Sequence, residues 1–376
     1  MHILIAPNAF KNSLNASDVA EAINTGLQQS KLKCTIENFP VGDGGDGTAA
    51  LIMQKYKGII INAEVHDALD KKIKASFGLI DDNKTAVIEL ADASGIRLLQ
   101  QHELNPLHGT TYGTGELIIH ALNKNVNKII LCIGGSATVD GGTGILQALG
   151  IKFLNDKNEL LKVLPEDLAD LAAIDVADFD KRILDCELII LCDVENILLG
   201  KNGSAKIFGP QKGASAKDVQ KLENALSKFR DIALLQTGID MATMRYGGAA
   251  GGVAAGLYTF CNAKLVQGID YFLAETGFDK ALAKADLVIT GEGKIDEQTL
   301  EGKGPFGVAK KAKEKNIFVI GIAGSVPLER NIQLEKYFDV PISINNDIAD
   351  IATAIQHTKL NLIRTAKMIG NLLANK

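Results

Sequence analysis

At 376 residues the chain is too long for one ordinary hydrophobic core, so two domains are expected. Apolar residues make up 46% of it, which suits a packed globular protein and not a disordered one. The net charge of -5, with no cluster of Lys and Arg, argues against a nucleic-acid binder and leaves anionic small molecules open.

The first element, HILIA, reads as a short buried strand. Ser13 or Asn15 then offers a helix N-cap, and Val19, Ile23 and Leu27 recur on one helix face. TIENFPV is a second strand, followed by a Gly-rich loop and the helical TAALIMQKY. From about Gly58 to Leu90, GIIINAEV, KIKASFGLI and TAVIELA are short β-rich runs parted by turn signals, which predicts antiparallel strands in another domain. The middle continues with the buried strands KIILC and ELIILC and the long amphipathic helix SAKDVQKLENALSKFRDIALLQ. DLVITGEG, IFVIGIAG and FDVPISIN then alternate with helical segments, and a helix from about Ile348 finishes the chain.

Two strands at the start and three at the end predict one flavodoxin-like, doubly wound parallel sheet, ordered 2-1-3-4-5 and formed by both chain ends. A mixed α/β domain is inserted into it. The boundaries read from the pattern are 1–58 with 280–376, and 59–279. No stretch has signal-peptide character or membrane-spanning length, and the five cysteines form no CxxC pair. A cytoplasmic protein with buried thiols is expected, with no membrane partner; the oligomeric state is left open.

Chemistry-bearing loops follow the strands. GDGGDG, from Gly42 to Gly47, fits the dinucleotide fingerprint, but it follows the second strand, and Asp43 and Asp46 would repel a bare pyrophosphate. Mg²⁺ would reverse that sign, so the two acids suit a metal-nucleotide or metal-substrate site; the alternative is a solvated turn with Asp46 capping a helix. IGGSATVDGG sets Gly134, Gly135, Ser136, Ala137 and Thr138 after a strand, the composition of a phosphate cradle without a Walker lysine. Asp193 ends LIILC, where a carboxylate could accept a proton from a substrate hydroxyl or simply close a turn. TGEGKIDEQTLEGKG gathers Glu292, Lys294, Asp296, Gln298, Thr299 and Lys303, with Gly291 and Gly293 freeing the backbone. Lys11, after the first strand, could reach a phosphate.

In this order APNAFKNSL, PVGDGGDGT, IGGSATVDGG, CDVENILLGKNGSAKIFGPQKGA, GGAAGG and TGEGKIDEQTLEGKGPFGVA resemble the bacterial type I glycerate kinase family along nearly the whole chain. The resemblance implies transfer of the γ-phosphate of ATP to D-glycerate with Mg²⁺, giving 2-phosphoglycerate or, as the competing assignment, 3-phosphoglycerate. It also implies two dissimilar α/β domains with a cleft between them. Asn8 and Ala9 depart from the APDSFK the family more often carries, as do Ile197 from a usual proline and Val139 from a usual asparagine. A binding regulator that kept the fold without the activity is the second reading, and Asn8 is its support.

The chemistry of phosphoryl transfer then gives the assignments. Asp193 is placed near the attacking hydroxyl, and Asp43, Asp46 and Asp296 are candidates for Mg²⁺ and water. Lys11 and Lys294 would meet phosphate or the glycerate carboxylate; Gly134 to Thr138 and Gly291 to Gly293 would supply amides.

Overall fold

The computed structural model describes residues 1–345 and 350–375. The chain divides into two compact units, Met1–Asp43 with Ile269–Lys376, and Gly44–Gly268.

The first unit is built on a five-stranded, all-parallel sheet. Its spatial order is Val340–Ser343, Phe318–Ser325, Leu287–Lys294, His2–Ile5 and Thr35–Asn38, which is 2-1-3-4-5 within this unit. HILIA lies beside DLVIT as expected, with Ile3 opposite Leu287 and Ile5 opposite Ile289. Strands buried on both faces need apolar residues at consecutive positions, and Ile3, Leu4 and Ile5 are fully buried. Ile3, Ile5, Leu287, Ile289, Ile320 and Ile322 share one face, packed by Val19, Ile23 and Leu27 of helix Ala16–Gln28 and by Leu362, Ala366 and Ile369 of helix Thr358–Leu373. Asn15, one of the two caps read from the sequence, closes the first of these helices: its side chain accepts from the Asp18 amide at 2.9 Å. Pro341 sits in the strand at the sheet edge, where a missing amide costs no ladder bond. The C-terminal helices are Ile351–Gln356 and Thr358–Leu373; the start near Ile348 lies outside the described residues.

The second unit carries a six-stranded mixed sheet in the order Lys264–Gln267, Glu187–Cys192, Lys128–Cys132, Thr85–Glu89, Lys72–Ile80 and Ile59–His66. The last two strands join antiparallel, and the other four run parallel. A hairpin pairs Lys152–Leu154 with Ala173–Asp175. The long helix is Ala216–Thr237, opened by a reciprocal Ser215–Asp218 capping box; its Leu222, Leu226 and Phe229 enter the core.

The unit boundaries differ from those read in the sequence. Helix Thr48–Tyr56 covers Lys72–Ile80 and Thr85–Glu89 of the mixed sheet, so the first crossing comes at 43/44 and not 58/59. Ile269 joins helix Gly304–Glu314, where a Cβ on Gly307 would come within 2.5 Å of it, so the return comes at 268/269 and not 279/280. Helical periodicity shows that a segment has an apolar face; it does not say which sheet that face will cover.

Candidate functional site

In the first unit the strand order reverses between His2–Ile5 and Leu287–Lys294, and the loops leaving their carboxyl ends meet there. Open α/β sheets hold ligands at such a switch point. The Asn8 amide bonds the Gly291 carbonyl at 2.8 Å and ties the two loops together. The Asn8 side chain donates to Asp43 Oδ2 at 2.7 Å, and the Gly304 amide donates to the same oxygen at 3.2 Å. Asp43, only 9% exposed, thus sits at the N-terminus of helix Gly304–Glu314, which favours a negative charge.

Glu292 is equally buried, and the Thr299 hydroxyl donates to it at 2.9 Å. Its carboxyl is pushed up to about 7, chiefly by burial and further by the charge of Asp43; Lys303, the Thr299 bond and Lys11 pull the other way. Two buried acids with two lysines in their field therefore occupy the switch point. Lys294 and Asp296 are not drawn into this group. They form an ion pair at 2.8 Å with Lys294 largely exposed, and Asp296 also caps the turn at Gln298. Gly291 lies in the strand ladder opposite Ile322, where a Cβ would come within 1.7 Å of the Ile322 carbonyl.

In the second unit the IGGSATVDGG loop follows Lys128–Cys132. Gly134 approaches Gly45 so closely that a Cβ would stand 2.4 Å from its Cα. The Gly134 amide donates to the Gly44 carbonyl and the Ala137 amide to the Ser94 carbonyl, at 3.0 and 2.9 Å. Two of the amides proposed for a phosphate cradle are thus engaged within the protein. The GGAAGG motif packs against the same loop: Gly251 has φ +74°, and a Cβ there would lie 2.1 Å from the Thr138 carbonyl.

Lys212 reaches this loop from beneath. Its ammonium donates to Ser136 Oγ at 2.7 Å and to the Thr138 carbonyl at 2.8 Å. Burial pushes it down to about 7, against the pull of Asp140 and Asp193. Asp140 is fully buried and accepts from the Thr111 amide and hydroxyl and from the Gly142 and Gly144 amides, which fixes the turn into helix Thr143–Ala148. Asp193 stands half-buried just past the Glu187–Cys192 strand.

Asp46 lies within hydrogen-bond reach of Glu89 and faces Arg97 at 3.5 Å. Burial, then that hydrogen bond with Asp46, raises the Glu89 carboxyl far above its usual range, while Glu89 accepts from the Gly47 and Ala49 amides at 2.6 and 3.2 Å. These groups rim a groove of about 540 Å³ floored by Met53, Phe77 and Val87. Asp43 and Asp46, paired in the sequence by one motif, therefore have separate partners. Among the described residues no group of three or more His, Cys, Asp or Glu gathers as a ready-made metal site.

Glu89, Lys212, Glu292 and Lys303 are the residues that sequence reasoning did not select. An acid within the apolar TAVIEL was a visible signal for Glu89. Glu292 and Lys303 were visible in their loop, but the roles there were assigned to Lys294 and Asp296 instead. Lys212, a single lysine in QKGA, carried no signal of burial.

Two buried acids with an exposed and a half-buried lysine at the switch point of one unit, and a buried lysine with acids at strand ends in the other, define a two-unit α/β enzyme. A family model described as glycerate kinase family matches residues 3–374. A Bacillus subtilis (strain 168) protein named glycerate kinase is 42% identical over 98% of this chain and 97% of its own. An Escherichia coli (strain K12) protein named glycerate 2-kinase is 39% identical over all of this chain and 98% of its own. A solved structure described as glycerate kinase 2 from Salmonella typhimurium LT2 superimposes with a TM-score of 0.82 at 40% identity, covering 99% of this chain and 98% of that one. The chain belongs to the glycerate kinase family. No helix among the described residues is long and apolar enough to cross a membrane.

Proposed function

We propose that this enzyme transfers the γ-phosphoryl group of ATP to the 2-hydroxyl of D-glycerate, with Mg²⁺, giving 2-phosphoglycerate and ADP. Membership of the family supports kinase action on glycerate, and the name of the E. coli relative favours the 2-position. The observation that carries the reading is the pair of buried acids, Asp43 and Glu292, lying with Lys11 and Lys303 at the sheet's switch point.

Asp43 and Glu292 fit a divalent cation. Each lies within reach of the other's charge, and Mg²⁺ commonly takes one or two carboxylates and completes its shell with water and phosphate. When bound, the ion neutralises charge on the phosphoryl group in transfer. Lys11 and Lys303 supply positive charge to the same phosphates.

Asp193 accepts the proton as the substrate hydroxyl oxygen bonds to the γ-phosphorus. The bond from that phosphorus to the β–γ bridging oxygen breaks, and ADP departs with the electron pair. Asn8 does not leave the site without acids, because it donates to one of them. The test is ADP release by purified protein with Mg-ATP, with and without D-glycerate. Glycerate-dependent release is expected; its absence from folded protein would favour the binding regulator.

A further inference from the structure

Lys212 is only 3% exposed, yet it forms no ion pair with a carboxylate among the described residues. Its two acceptors, Ser136 Oγ and the Thr138 carbonyl, are both neutral. An ammonium has three hydrogens to donate, so one is left over. Burying a cation against neutral partners alone is expensive, and natural interiors rarely keep such a charge without a use.

The neighbourhood offers no internal answer. Asp140 is committed to four donors from Thr111, Gly142 and Gly144. The charges of Asp140 and Asp193 favour the cation, but burial outweighs them and leaves the group close to losing its proton near neutrality. Thr138 Oγ1, on the residue whose carbonyl Lys212 bonds, is buried without a hydrogen-bond partner. Two polar groups with unused capacity thus meet at one loop. The location also points to a ligand: the loop follows Lys128–Cys132, Asp193 follows Glu187–Cys192, and these strands pair in parallel with their carboxyl ends together.

We infer that Lys212 binds an oxyanion of a substrate, either the acceptor's carboxylate or a phosphoryl group, through its third ammonium hydrogen. The inference deepens the kinase reading and rests on it for the identity of the anion. A lysine in this position would hold the substrate beside Asp193 while fixing the Ser136–Thr138 loop from below.

The test compares wild type with Lys212→Met, which removes charge and donors, and Lys212→Gln, which keeps donors for Ser136 and Thr138. Thermal midpoints establish folding. Calorimetric titrations then use D-glycerate, ATP and inorganic phosphate separately. Loss of one buried charge-assisted bond should weaken the anion concerned by roughly 10–100-fold. Weaker D-glycerate binding with ATP unchanged assigns the carboxylate; weaker phosphate and ATP binding assigns the phosphoryl group. In turnover the same ligand's KM should rise in both variants, a split that a purely structural lysine would not produce. Unchanged affinity for all three ligands in a folded variant overturns the inference, and so does failure of wild type to bind any of them. If neither variant folds, the Lys212 ζ-carbon resonance of labelled wild type must shift on titration with D-glycerate or phosphate; a static resonance overturns the inference equally. Absence of glycerate-dependent ADP in wild type would sink the kinase reading, while the phosphate titration would still decide the role of Lys212.

Discussion

Glu292→Gln keeps the shape of a buried side chain and an acceptor for Thr299 while removing the ionisable group. In the wild type this carboxyl is held at about 7 instead of the ordinary 4.5. Between these values the folded protein keeps a proton that the unfolded chain has already lost. Stability therefore falls as pH rises through that window and levels off above it. Each pH unit of displacement is worth about 1.4 kcal/mol, so the full penalty is about 3 kcal/mol at pH 8, and it vanishes below pH 4.5. The glutamine variant carries no such penalty. Its thermal midpoint should match wild type at pH 4.5 to 5 and exceed it at pH 8 by several degrees, at about 2–4 °C per kcal/mol for a unit of this size. Differential scanning calorimetry at the two pH values without added metal measures this. Adding Mg²⁺ at pH 8 should raise the wild type and close the gap, since a cation between Glu292 and Asp43 relieves the repulsion. A difference between variant and wild type that does not change with pH would refute the electrostatic account of this pair.

Asn8→Asp would set another carboxylate against Asp43 across a contact now 2.7 Å long, costing about 1–3 kcal/mol unless a metal or proton intervenes. The variant's melting temperature should be depressed in chelator and recover with Mg²⁺ by more than the wild type gains; an identical Mg²⁺ response would remove the metal from Asp43. Asp193→Asn should lower turnover by roughly 10²–10⁴-fold with ATP affinity little changed, read by steady-state kinetics beside calorimetry. Near-normal turnover would pass the proton-acceptor role to another acid. Lys294→Ala breaks an exposed, solvent-screened ion pair, so turnover should stay within about threefold of wild type. A loss of a hundredfold would return Lys294 to the catalytic group.

The sheet of the first unit was legible because strands buried on both faces need unbroken apolar runs. HILI, LVIT and FVIGIA show them, and the parallel order follows from alternation with helices. The antiparallel edge of the mixed sheet was legible from short β-rich runs between turns. The assignment of helix Thr48–Tyr56 was not, because its apolar face matches either sheet and only the tertiary structure selects one. At the site, glycine marked the loops well: Gly134 and Gly251 stand where no Cβ fits. What glycine could not mark was the division of labour among charged residues. Lys294 and Lys303 lie in one loop, yet the first pairs with Asp296 at the surface and the second acts on Glu292. That difference arises from burial, which spacing does not encode. Lys212 makes the same point, since nothing in QKGA announces an ammonium beneath the Ser136–Thr138 loop.

Phosphorus NMR of the products, after incubation of purified enzyme with ATP, Mg²⁺ and D-glycerate, tests whether the 2-hydroxyl of D-glycerate is phosphorylated with ATP as donor. ADP and the resonance of 2-phosphoglycerate should grow in equal amounts and only when D-glycerate is present. The resonance of 3-phosphoglycerate in its place would contradict the assigned hydroxyl, and ATP left intact beside unmodified glycerate would contradict the kinase itself.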